Sequence, residues 1–336
     1  MKATRLLAVS VGCWAYAVSP ASAQGEGFKP VGPEVKTTLT TWYTANTNAL
    51  DAFLIRRVNI VVNGEVTPQL SYAIMFDPSK NLALPTVSAS APGGPFQVSS
   101  GGDTKILQDA YIGAKFPGGI TTRFGQFRPP LSAAAMESGY KQPLARRPLF
   151  LEGNSFGYYR DVGFQANAPV LPWLSATVGV FNGATTNQPE SNEAKDVIGR
   201  LEFSPGPQLK TGLSYLRGVR GTALTFAERL GANAEWNAGP MQLRAEALSG
   251  TDGTTNKLGW YGQGAYYLTP SLRTVLRYEE WDANLAAAGA QQNTTLGLNW
   301  YFSGFSLAGL NLIHENHTGP GAHTNDAALF IWQLVI

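Results

Sequence analysis

Hydrophobic and polar residues alternate with a period of two along most of this chain. Leu70, Tyr72, Ile74 and Phe76 share one face of a segment whose other face carries Ser71, Ala73 and Asp77, the pattern of a strand with one dry and one wet side. Ile106, Ala110, Ile112, Ala114 and Phe116 stand opposite Lys105, Asp109, Gly113 and Lys115. Val197, Leu201 and Phe203 oppose Asp196, Arg200 and Glu202, and Leu230, Ala232, Ala234 and Trp236 oppose Arg229, Asn233 and Glu235. Met241, Leu243, Ala245 and Ala247 oppose Gln242, Arg244 and Glu246, while Leu272, Thr274, Leu276 and Tyr278 oppose Arg273, Arg277 and Glu279. The last such segment runs Phe330, Trp332, Leu334, Ile336. A soluble β-sandwich alternates as well, so the density of charge on the polar faces is the more informative feature. A transmembrane barrel requires one face for lipid and one for water in the lumen, and its closure pairs every backbone group that hydrocarbon would otherwise strand.

The connections sharpen this. Tight turns fall near Asn63 to Gln69, Pro117 to Gly119, Pro169 to Pro172, Ser204 to Gln208, Asn237 to Pro240, Thr269 to Ser271 and Ser303-Gly304, most with the Pro or Gly that turn dihedrals demand. Longer links lie near 46–52, 78–104, 129–158, 182–194, 218–223, 249–256, 282–292 and 316–325. Short and long connections in alternation predict an all-β fold, a 16-stranded antiparallel transmembrane barrel with short periplasmic turns and longer outer loops.

The N-terminus carries a positive n-region (Lys2, Arg5), an apolar stretch from Leu6 to Val18 and the small-x-small pattern Ala21-Ser22-Ala23. That combination reads as a cleaved signal peptide over residues 1–23, followed by a short periplasmic segment over 24–33 and the barrel over 34–336. The rival, a lipoprotein acylated at Cys13, has Ser10 where Leu is usual. Cleavage removes the single cysteine, and with it any disulfide or thiolate site. It also removes Lys2 and Arg5, so that 25 basic residues against 23 acidic ones become an even balance. A neutral mature chain argues against nucleic acid as a partner. The expected location is the outer membrane of a Gram-negative bacterium, among lipid and lipopolysaccharide. Aromatics near strand ends, among them Trp42-Tyr43, Tyr158-Tyr159, Trp173, Trp236, Tyr266-Tyr267, Trp281 and Trp300-Tyr301-Phe302, fit interfacial girdles and equally the general preference of aromatics for strands.

Enzyme motifs are poor. His314-Glu315-Asn316-His317 lacks the i, i+4 spacing of a helical zinc motif, and a loose metal cluster with His323 is weighed against a plain solvated loop, which is the expectation. No GxSxG, P-loop or dinucleotide fingerprint occurs, and Gly262-Gln263-Gly264 lies within a strand. No catalytic residue, metal or cofactor is expected. The rival functions are an outer-membrane enzyme or adhesin on the same barrel, and a secreted soluble sandwich.

Three stretches resemble the phosphate-selective porin O and P family: Leu54 to Asp77 (LIRRVNIVVNGEVTPQLSYAIMFD), Leu107 to Ser132 (LQDAYIGAKFPGGITTRFGQFRPPLS) and Tyr159 to Gln165 (YRDVGFQ). The middle one is the most specific, joining a DAYIG strand, a PGG turn and a GQFRPP strand end. The resemblance implies a 16-stranded homotrimeric porin whose third outer loop folds into the lumen. Ile336 departs from it, standing where barrel-assembly signals usually end in an aromatic.

Charge distribution supplies the candidate site. Residues 120–160 hold Arg123, Arg128, Lys141, Arg146, Arg147 and Arg160 against Glu137 and Glu152 alone. If 129–158 is the inward loop, this positive excess sits at the constriction, where a narrow low-dielectric pore focuses the field on anions. Arg57, sharing a polar face with Asn59, extends the basic path. The alternative is that these arginines pair with Glu137, Glu152 and Asp161 to hold a loop against the wall. The expected function is therefore passive diffusion of small hydrophilic solutes, with a preference for anions such as phosphate or only weak selectivity.

Overall fold

The computed structural model describes residues 31–47, 51–81, 86–89, 96–99, 106–154, 156 and 160–336. The expected signal peptide (1–23) lies outside them, as do residues 24–30, Lys105 and Tyr158-Tyr159.

Alternation becomes architecture through a single closed sheet. The strands are β1 (Val31–Asn46), β2 (Ala52–Glu65), β3 (Leu70–Phe76), β4 (Thr86–Ala89), β5 (Phe96–Ser99), β6 (Leu107–Lys115), β7 (Thr121–Phe127), β8 (Asp161–Leu171) and β9 (Leu174–Phe181). They continue with β10 (Asp196–Phe203), β11 (Leu209–Arg220), β12 (Thr225–Ala238), β13 (Met241–Asp252), β14 (Thr255–Thr269), β15 (Leu272–Asp282), β16 (Gln291–Ser303), β17 (Ser306–His317) and β18 (His323–Val335). All but β4 and β5 form a closed antiparallel barrel of 16 strands. β4 and β5 make a small separate hairpin inside the second long link, which the sequence pattern did not resolve.

Closure runs through β1 and β18, paired from Thr38↔Val335 to Asn46↔Ala327. Ile336 completes that seam despite its aliphatic side chain, exchanging backbone hydrogen bonds with Thr37 at 2.8 and 2.9 Å. Among the described residues no helix is long and apolar enough to cross a membrane.

The faces divide as the pattern predicts. On β15, Arg273, Val275, Arg277 and Glu279 are buried on the lumenal side while Leu276 and Tyr278 are exposed outward. The outward Leu, Val and Phe side chains, such as Val178, Leu230 and Leu276, are those a bilayer covers. Aromatics split between the faces. Trp236, Tyr266, Trp300 and Trp332 are exposed near the short-turn rim and Phe53 near the loop rim, whereas Trp42 is buried in the lumen with Leu307, Ile313 and Leu329.

Two expected loops are shorter than the pattern suggests. β11 and β12 pair up to Arg220↔Thr225, and β13 and β14 up to Asp252↔Thr255. These hairpins extend their ladders beyond the predicted links at 218–223 and 249–256. Asp252-Gly253 is itself a hairpin-turn signal, and Gly253 takes the positive φ of +62° that such a turn needs.

Candidate functional site: a lumen narrowed by its third loop

In the third long link, between β7 and β8, residues 128–154, 156 and 160 lie inside the barrel because the link's own apolar residues find apolar seats there. Leu131, Ala134, Ala135, Phe150, Leu151 and Phe156 are buried in one cluster with Phe127, Phe181, Ile198, Leu216, Leu248 and Tyr261. Ile198, Leu216 and Leu248 occupy lumenal positions where strict alternation calls for polar residues. Burying such side chains contributes roughly 1.5–3 kcal/mol each. Close approach completes the seat: a Cβ on Gly259 would stand 2.3 Å from Phe150 Cβ, and one on Gly297 would stand 2.5 Å from Leu144 Cδ2.

Polar clamps then fix the path of the loop. A short α-helix in it, α1 (Ala133–Met136), has Ser132 as N-cap, whose Oγ accepts from the Ala135 amide at 3.1 Å. Glu246 of β13 accepts from the Ala133 and Ala134 amides at 2.7 and 3.0 Å. Arg244, two residues along, forks Glu137 at 3.0 and 3.2 Å. Farther on, Gln333 donates to the Tyr140 carbonyl at 2.9 Å and Asn311 accepts from the Ala145 amide at 2.8 Å. Arg277 donates to the carbonyls of Arg146 and Arg147 at 3.1 and 3.3 Å and pairs with Glu279 at 2.9 Å. The loop thus descends from β7, crosses to the β11–β13 wall, reaches the short-turn rim at Tyr140 and climbs back along β16 and β17.

That path spreads the predicted basic residues along the channel instead of gathering them in one ring. Arg128 donates to the carbonyls of Ala135 and Glu137 at 2.9 and 3.0 Å. Arg147 is buried and donates to the carbonyls of Ala134 and Glu137. Arg160, also buried, pairs with Asp109 at 2.8 Å, and Arg146 pairs with Glu315 at 2.5 Å near the loop rim. Arg57 packs its guanidinium against Gly139 of the loop, where a Cβ would stand 2.3 Å away. Arg123 and Lys141 are exposed to the lumen. Arg123 lies over the Tyr111 ring at 5.1 Å, and Lys141 lies near Tyr140 and Phe305 at 5.9 and 5.8 Å.

Two further cations escaped the sequence reading. Lys36 Nζ lies 4.8 Å from the Tyr140 ring centre, and the Arg56 guanidinium lies 5.0 Å from that of Trp42. Period two turns Arg56 to the lipid side, but a bulge between the Thr40↔Arg57 and Thr41↔Ile55 pairs resets the register and brings both arginines inside. No sequence signal marked that bulge. Among the described residues no carboxylate lies within ion-pair distance of Lys36, Arg56, Arg123 or Lys141. By contrast Asp109, Glu137, Glu279 and Glu315 each hold a guanidinium.

The sequence profile of phosphate-selective porin O and P matches residues 37–218 and 216–328. No curated protein matches the sequence. Among solved structures, the chain is similar to the outer membrane channel DcaP of Acinetobacter baumannii at 12% identity and a TM-score of 0.58, covering 89% of this chain and 96% of that one. It is similar to OmpT of Vibrio cholerae in its trimer form at 9% identity and a TM-score of 0.57, covering 90% of this chain and 98% of that one. At such identities the likeness is one of fold. Closed barrel, inward third loop and a profile running over nearly the whole chain agree, and the protein belongs to the phosphate-selective porin O and P family of Gram-negative outer-membrane channels.

Proposed function

We propose that this outer-membrane channel admits small anions, phosphate and carboxylates among them, in preference to cations, by passive diffusion and without turnover. The observation that carries the reading is the asymmetry of lumenal pairing. The wall carboxylates Asp109, Glu279 and Glu315 and the loop's Glu137 are matched by guanidinium groups, whereas Lys36, Arg56, Arg123 and Lys141 lie over aromatic rings. A ring orients a cation without neutralising it, so the charge stays available to a passing solute. Arg56 and Arg123 offer the forked donors that suit phosphate and carboxylate oxygens.

A second reading, a weakly selective general-diffusion pore, is favoured by the pairing of Arg146 with Glu315 and of Arg160 with Asp109, which cancels their charge. A planar-bilayer recording under a KCl gradient separates the two. Anion preference requires a reversal potential on the anion side that Arg123→Glu with Lys141→Glu reduces or inverts. A wild-type potential at zero supports the weaker reading and sinks the first. We further propose a homotrimer set among lipid and lipopolysaccharide, in keeping with the trimer form of the structurally similar OmpT. Cross-linking in intact membranes that yields only monomers would count against it.

A further inference from the structure

The chain has three histidines, and the fold divides them. Alternation along β17 turns His314 outward, where Nδ1 stands 2.7 Å from Asp326 Oδ1. His317 and His323 share the lumenal parity of β17 and β18 and face each other directly across the ladder. Their ring centres are 4.3 Å apart and their planes differ by 6°. They sit at the loop rim, His323 exposed and His317 partly so.

The tautomer of His323 follows from its neighbour. Its Nδ1 lies 3.0 Å from the Gly321 carbonyl oxygen. A carbonyl only accepts, so Nδ1 carries the proton and Nε2 keeps its lone pair. That is how a metal-binding imidazole is commonly held, one nitrogen donating to a backbone carbonyl and the other facing the ion. The His317 ring has no hydrogen-bond or ion-pair partner among the described residues. Glu315, two positions along the same face, is already held by Arg146 and by Asn325 Nδ2 at 2.9 Å.

We propose that His317 and His323 form a two-imidazole site for a borderline transition-metal dication (Cu²⁺, Ni²⁺ or Zn²⁺) at the outer mouth of the channel. Imidazole ligands suit these ions, whereas calcium and magnesium require oxygen. Metal–nitrogen bonds of about 2.0–2.1 Å place the two nitrogens no more than about 4 Å apart, a spacing that these stacked rings reach by tilting toward each other. Among the described residues no third His, Cys, Asp or Glu joins the pair, so water fills the remaining positions.

The test is a Cu²⁺ titration of the full barrel in detergent, purified without a polyhistidine tag and followed by electron paramagnetic resonance. One ion per barrel with nitrogen ligation is expected. His317→Ala and His323→Ala should each weaken binding by more than about tenfold, the scale on which even outer-sphere partners of a metal ligand act, while His314→Ala leaves it unchanged. Heat-dependent gel mobility checks that every variant has folded. Absence of binding to the wild type at micromolar Cu²⁺, survival of the site in the His317→Ala/His323→Ala double variant, or its loss in His314→Ala overturns the proposal.

Discussion

Arg244 of β13 forks Glu137 of the third loop through Nη1 and Nη2, at 3.0 and 3.2 Å, while its Nε stands 2.9 Å from Glu235 of β12. A bidentate guanidinium–carboxylate pair is strong and oriented, and this one holds the loop where it leaves the β13 wall to cross toward β2. Removing one partner of a fully buried pair costs about 3–5 kcal/mol, and this partly buried one, with side chains 18% and 20% exposed, should lose less. Arg244→Ala is therefore expected to lower the urea midpoint in liposomes and to make single-channel conductance larger and noisier. The Arg244→Ala/Glu137→Ala double variant should lose less than the sum of the two single changes.

Glycine at the loop's seat is a steric requirement. Gly259→Val drives a methyl group into Phe150, which a Cβ alone would approach to 2.3 Å, and should cost about 1–3 kcal/mol by overpacking. Gly199 has nothing within 4 Å of an added Cβ, so Gly199→Val should stay within about 0.5 kcal/mol. Unfolding midpoints of the two variants, measured side by side, decide the matter.

Exposed and buried arginines should separate by phenotype. Arg123→Gln removes a cation exposed in the lumen and is expected to shift the reversal potential away from anions with little change in stability. Arg147→Gln removes charge-assisted bonds to the Ala134 and Glu137 carbonyls, worth about 1.5–3 kcal/mol, and should act mainly on stability. In 1 M salt, where the screening length falls to about 3 Å, the Arg123 effect should largely vanish.

The lipid face has its own test. Leu276 is exposed outward near the middle of β15, and Leu276→Arg should destabilise refolding into vesicles by about 2–4 kcal/mol, the cost of a cation at the bilayer midplane. An unchanged midpoint would mean that this face does not meet hydrocarbon.

Strand number, closure and the two faces were legible in the sequence because side-chain direction along a strand has a period of two, whatever the strand's partners. Arg273, Arg277 and Glu279 could be assigned to the lumen on that ground alone. The positive excess of residues 120–160 was legible too, and so was the inward loop once the family resemblance was noticed. The seats at Ile198, Leu216 and Leu248 left a faint signal, as apolar residues at polar parity, that went unread.

What each arginine does was decided only by the tertiary structure. The sequence determined that Arg123, Arg128, Lys141, Arg146, Arg147 and Arg160 lie close together along the chain. The path of the loop then sent Lys141 to the short-turn rim, set Arg146 on Glu315 near the loop rim, buried Arg147 among loop carbonyls and left Arg123 open to the lumen. A single bulge beside Thr40 and Thr41 brought Arg56 inside against its predicted parity. Local periodicity sets which way a side chain points from its own strand, but whether its charge is paired or free depends on groups distant in sequence, which meet only when the barrel closes and the loop folds into it.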